Sequence, residues 1–231
     1  MSDERTLAVR AALNEGAGAA EKQLALIAGS QGDDQLALVV AELSAPEIVT
    51  IVGESDMTKS SLVSAFATPE QFIAVLTRKL DGWSSYYGSM SLGELANSLP
   101  GLQDQLEDFL CPMIFAAESA DREKAIFDAL LDFKIGAELI LLAGVGRKDF
   151  EEIFVLKENF PATAGTWQSL FTGLQQRDPA EYKALQAFYT QHVTDDDHVR
   201  AMATCAHDIV QAMGEFRAPD EGTDTVEFVS F

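Results

Sequence analysis

Thr68-Pro69-Glu70-Gln71-Phe72-Ile73-Ala74-Val75-Leu76 opens with a helix-start signature and continues as one apolar stripe. The Thr hydroxyl caps the first turn, proline sits where no hydrogen-bonded N–H is needed, and Gln three places on reaches back to the cap. Phe72, Val75, Leu76 and Leu80 then fall on one helical face. The same start recurs in Ser44-Ala45-Pro46-Glu47, Ser91-Leu92-Gly93-Glu94 and Asp178-Pro179-Ala180-Glu181. Four capping boxes predict many short helices. The fold expected is therefore all-α, an irregular stack resembling a helical-repeat protein.

Working outward, spacing and caps predict helices over 4–14, 17–28, 33–43, 57–67, 120–134, 148–158, 166–177 and 179–193. A break is expected at Pro100-Gly101, followed by Leu102, Leu106, Phe109 and Met113 on one face. The clearest seam is Val199, Met202, Ala206, Ile209 and Met213, at intervals of three and four residues. Ile48–Val52, Leu139–Leu142 and Ile153–Leu156 are short apolar runs. The first follows a capping box and reads as helix; the other two leave open an α/β alternative with a few short strands. Residues 82–90, Gly-Trp-Ser-Ser-Tyr-Tyr-Gly-Ser-Met, read as an aromatic loop. This gives a helical domain over 1–215, with a division into two lobes placed near 82–100, and an acidic tail over 216–231. Aligning Pro46 with Pro69 suggests a 23-residue period, but no third unit follows cleanly.

The segment from Leu36 to Trp83, carrying Leu43-Ser44-Ala45-Pro46-Glu47, then Thr68-Pro69-Glu70-Gln71 and Leu76, resembles the helical repeats of the cytosolic N-terminal domain of MgtE-type magnesium transporters. It is also similar to bacterial proteins of unassigned function that share Leu-x-Pro-Glu units. The resemblance spans about a fifth of the chain and implies a right-handed helical stack serving as a regulatory or interaction surface. The chain lacks that family's nucleotide-binding domain and membrane helices, and no ion site carries over.

Asp and Glu number 37 against 16 Lys and Arg, for a net charge of −21 among 231 residues. Residues 1–115 contribute −10 and residues 116–231 contribute −11. Direct binding to a nucleic-acid backbone needs clustered cations, and neither half supplies them. No apolar run reaches the length of a membrane span, so no membrane insertion is expected. The opening Met1-Ser2-Asp3-Glu4-Arg5 has no secretory pattern, and the expected location is cytoplasmic. Cys111 and Cys205, the only cysteines, read as buried reduced thiols rather than as a disulfide framework or zinc site.

Motifs for chemistry are fragmentary. Gly53-Glu54-Ser55-Asp56-Met57-Thr58-Lys59-Ser60 has Thr where a phosphate loop needs Gly, and two acids that would repel phosphate. Gly144-Val145-Gly146 lacks the third glycine of a dinucleotide fingerprint, since Asp149 holds that place, and reads as a helix C-cap or tight turn. No cofactor is expected, and no nucleophile with a neighbouring base is evident, so the reading favours a protein that is not an enzyme. His192, Asp195 and His198 form the candidate metal cluster. Trp83, Tyr86, Tyr87, Phe228 and Phe231 are the candidate partner-binding residues, aromatic anchors of the kind enriched at hot spots.

The function expected is a protein-protein interaction or regulatory adaptor module whose partner is another protein. Two alternatives stand beside it: a divalent-cation-responsive module, from the His192–His198 cluster, and an acidic mimic of nucleic acid occupying a basic groove.

Overall fold

A computed structural model describes residues 3–54, 62–116, 119–154, 165–192 and 198–216, with the side chains of 53, 54, 192 and 198–201 outside the description. Of the described residues, 86% are helical and none is in a strand. The helices are α1 (Glu4–Leu13), α2 (Ala17–Gln31), α3 (Asp33–Glu42), α4 (Ala45–Glu54), α5 (Leu62–Phe66), α6 (Pro69–Tyr87) and α7 (Leu92–Phe115). They continue as α8 (Ala120–Asp132), α9 (Gly136–Gly144), α10 (Phe150–Phe154), α11 (Trp167–Arg177), α12 (Pro179–His192) and α13 (His198–Met213), closed by a 3-10 turn at Gly214–Phe216. The all-α expectation holds, and both open runs resolve as helix where described: Leu139–Leu142 lies within α9, and Ile153 and Phe154 end α10.

Caps behave as the sequence chemistry requires. Thr68 and Ser91 each close a full reciprocal box with Gln71 and Glu94. Asp178 accepts from the N–H groups of Ala180 and Glu181, and the Glu47 carboxylate takes both the N–H and the hydroxyl of Ser44.

Two expectations are corrected. The aromatic stretch 82–90 is not a loop through most of its length, because α6 runs to Tyr87. Phe72, Val75, Leu76, Leu80, Trp83 and Tyr87 make one buried stripe, and its burial outweighs the propensity cost of Gly82, whose Cβ position faces open space. Nor does Pro100-Gly101 break the chain: α7 passes through Pro100 and Pro112. Each proline removes one backbone bond, whereas Leu99, Leu102 and Leu106 on both sides of Pro100 are buried and hold the axis.

The N-terminal helices stack in order, α1 on α2, α2 on α3 and α4, and α4 on α6. The long α7 packs against α13 and α9, while α11 and α12 cover α9. One continuous core runs from Val9 to Met213. Three long side chains fasten helix ends to it. Gln71 donates to the carbonyls of Val40 and Leu43 (2.8 and 2.7 Å) at the end of α3. Gln103 donates to those of Leu142 and Val145 (3.0 and 2.7 Å) at the end of α9. Arg122 donates to Ser64 and Ala67 (2.7 and 2.9 Å) at the end of α5. In each case a single side chain takes two carbonyls three residues apart, at a helix end where carbonyls lack the usual N–H four residues on.

Among the described residues, no single helix is long and apolar enough to cross a membrane; α3 and α4 together meet that composition but bend by 115°.

Candidate functional site

The aromatic residues singled out at the end of α6 come together. Trp83 and Tyr87, one turn apart, are buried at 7% and 4% exposure, whereas Tyr86 between them is 64% exposed. Gln105 of α7 joins the buried pair, accepting from the Trp83 indole N–H (2.9 Å) and donating to the Tyr87 hydroxyl (3.0 Å). Trp83 also lies edge-on to Phe109, which stacks on Phe72. The Tyr86 ring packs edge-on against Tyr87, with centroids 4.8 Å apart. Burial pushes the Tyr87 hydroxyl above its usual range, partly offset by Gln105; it stays protonated at neutral pH. The outcome is a surface aromatic seated on a base locked by hydrogen bonds.

Gln105 was not legible as part of this site, since 18 residues separate it from Tyr87 and no local pattern links them. Three leucines more than half exposed were also missed: Leu7, Leu26 and Leu38, at 54%, 65% and 59% exposure on α1, α2 and α3. A signal existed for Leu26. It falls outside the buried stripe Ala17, Ala20, Leu24 and Ile27 of its helix.

The remaining candidates separate by location. His192 ends α12 and His198 begins α13, but their side chains and Asp195 lie outside the described residues. Phe216, placed at the start of the tail, packs against Phe133 and the core, whereas Phe228 and Phe231, with the rest of 217–231, lie outside the described residues, as does most of Gly53–Ser60. Among the described residues no three His, Cys, Asp or Glu side chains converge as metal ligands. A shallow groove of ≈ 210 Å³ runs between α6 and α13, lined by Asp81, Ser84, Ser85, Gly88 and Gln211. Another, ≈ 200 Å³, lies between α1 and α2.

Gly144-Val145-Gly146 has a packing role. A Cβ on Gly144 would stand 2.6 Å from the Phe171 ring and 3.0 Å from Phe150. Gly146 turns at φ 76° with the Met202 sulfur over it. The segment closes the carbonyl end of α9, and Gln103 already takes the Leu142 and Val145 oxygens. A phosphate needs the opposite polarity, that of a helix N-terminus. Arg147, the cation nearest this turn in sequence, is ion-paired to Asp104 (3.0 Å) and Glu107 (2.7 Å).

Both thiols are buried. Burial pushes Cys111 and Cys205 up to about 12, with Glu107 adding to the effect at Cys111 and Asp208 at Cys205. The thiolate is the reactive form, so at pH 8 the folded chain is expected to react with a thiol-specific disulfide reagent at least ~100-fold more slowly than the denatured chain. Rapid stoichiometric labelling without unfolding would contradict this placement.

Compared with known proteins, the chain matches no family model, no curated protein and no solved structure. The resemblance to the transporter domain therefore rests on Leu43–Glu47, Thr68–Gln71 and Leu76 alone.

Proposed function

We propose that this helical stack is a protein-interaction module, and that Tyr86 is an anchor of its binding surface. The observation that supports this reading is the presentation of Tyr86: a large aromatic, 64% exposed, fixed against Tyr87 and through it to Gln105 and Trp83. Rigid aromatic area placed before binding loses little conformational entropy on association, and such residues dominate hot spots. The chain's charge of −21 favours partners with a basic rim around an apolar pocket and speeds their encounter. A helical stack serving as a regulatory surface is also what the resemblance to transporter domains implies.

The test pairs stability with capture. Tyr86→Ala is expected to leave the thermal midpoint nearly unchanged, within about 0.5 kcal/mol as for other surface sites, while removing most recovery of the partner in affinity purification. Tyr86→Phe, which keeps the ring, should recover most of it. Equal partner recovery by wild type and Tyr86→Ala would refute the assignment.

A further inference from the structure

The negative charge is unevenly placed at finer scale. Residues 1–32 carry four acidic and three basic side chains, whereas the rest of the chain carries 33 against 13. The α1–α2 hairpin is therefore close to neutral on a body of about −20. The same hairpin exposes Leu7 and Leu26. Leu26 lines the groove between the two helices with Glu4, Arg5 and Ala8, and exposed Leu38 follows on α3. On α2 the core side is Ala17, Ala20, Leu24 and Ile27. The outward side is Gly18, Ala25 and Gly29, all exposed.

We propose that the outer face of α1 and α2 is a homodimer interface, occupied by the same face of a second copy. This inference is independent of the Tyr86 reading. Two observations select a second copy. The near-neutral hairpin lets two acidic bodies meet there with less repulsion than a face of the chain's average charge would give. The only charges on α2 are Glu21 and Lys22. At 100° per residue they flank the outward row on opposite sides, by roughly 60° and 40°. A two-fold axis parallel to α2 exchanges the flanks, so each Lys22 meets the partner's Glu21, and the pair forms twice. A basic partner, by contrast, is drawn to the remaining surface, which carries nearly all the negative charge.

Two glycines supply the means of testing this without disturbing the fold. A Cβ at Gly18 or Gly29 meets nothing within 4 Å, and both lie inside a helix, where a residue with a side chain is better tolerated than glycine. Sedimentation of the full chain from ~5 to ~500 µM, the range for a small interface, is expected to show mass rising toward twice 25.0 kDa. The association should tighten from ~0.02 to ~0.5 M salt, as the Debye length shortens and body-body repulsion is screened. Gly29→Gln and Leu26→Asp should each weaken it at least ~10-fold while remaining folded by circular dichroism, with the thermal midpoint of Gly29→Gln equal to or above wild type. Glu21→Lys and Lys22→Glu should each weaken it about 3- to 10-fold, and the double swap should restore it to within about 2-fold. Tyr86→Ala should leave it unchanged.

A constant single-chain mass at every concentration and salt would overturn the proposal, as would a dimer indifferent to Gly29→Gln and Leu26→Asp. If Phe228→Asp with Phe231→Asp in the full chain tightens self-association, the chain's own end covers the face, and the assignment to a second copy fails.

Discussion

Phe150→Ala is expected to lower stability by about 3 to 5 kcal/mol, the range for emptying an aromatic site in a core that relaxes only partly. Phe150 is 1% exposed, and its ring centroid lies 5.2 Å from Phe154, 5.7 Å from Phe171, 6.4 Å from Trp167 and 5.2 Å from Tyr189. The pairs with Phe171 and Tyr189 are edge-on, an arrangement that adds to simple burial. Gly144 has no side chain with which to refill the site, and its Cβ position already lies within 3.0 Å of both the Phe150 and Phe171 rings. For a chain of this length the loss corresponds to roughly 6 to 20 °C in thermal midpoint. Phe150→Leu, which refills much of the volume, should recover at least half. A loss under about 1 kcal/mol in chemical denaturation would show that these rings do not form a rigid unit.

That cluster also marks how far local reasoning reached. Helix starts were legible because the cap and its reciprocal residue are three places apart, so Thr68 with Gln71 and Ser91 with Glu94 are visible in the chain itself. The gathering of Phe150, Trp167, Phe171 and Tyr189 was not. It depends on α10, α11 and α12 bringing their rings together, and no spacing in the sequence encodes that.

The errors have the same origin. Gly82, Ser84 and Ser85 suggested a loop on propensity alone, whereas the stripe from Phe72 to Tyr87 is buried along its whole length and tertiary burial prevailed. At Pro100 a missing backbone donor proved weaker than the flanking leucines. The candidate site divides likewise. Trp83, Tyr86 and Tyr87 were visible as aromatics, but the orientation that buries two and exposes one comes from the helix they belong to, and Gln105 from a second helix. The outward Leu26 shows the converse: an apolar residue off the stripe is a surface signal that periodicity contains.

The seam of α13 yields the second large effect. Ile209→Ala is expected to cost about 2 to 5 kcal/mol, the usual range for truncating a buried aliphatic side chain. Ile209 is 2% exposed, and the buried set beside it, Cys205, Ala206, Val210 and Met213, is broader than the expected single row. This breadth follows from position, since α13 packs against both α7 and α6 and must fill two contacts at once. Met202 is only partly buried, its sulfur resting on Gly146, so the N-terminal turn of the helix should contribute less than its middle. The graded series decides the matter: Ile209→Val should cost about 0.5 to 1.5 kcal/mol, and Met202→Ala less than Ile209→Ala. Equal losses at 202 and 209 would mean that α13 is held uniformly along its length. A loss within about 0.5 kcal/mol at Ile209, the surface-site range, would remove α13 from the core altogether.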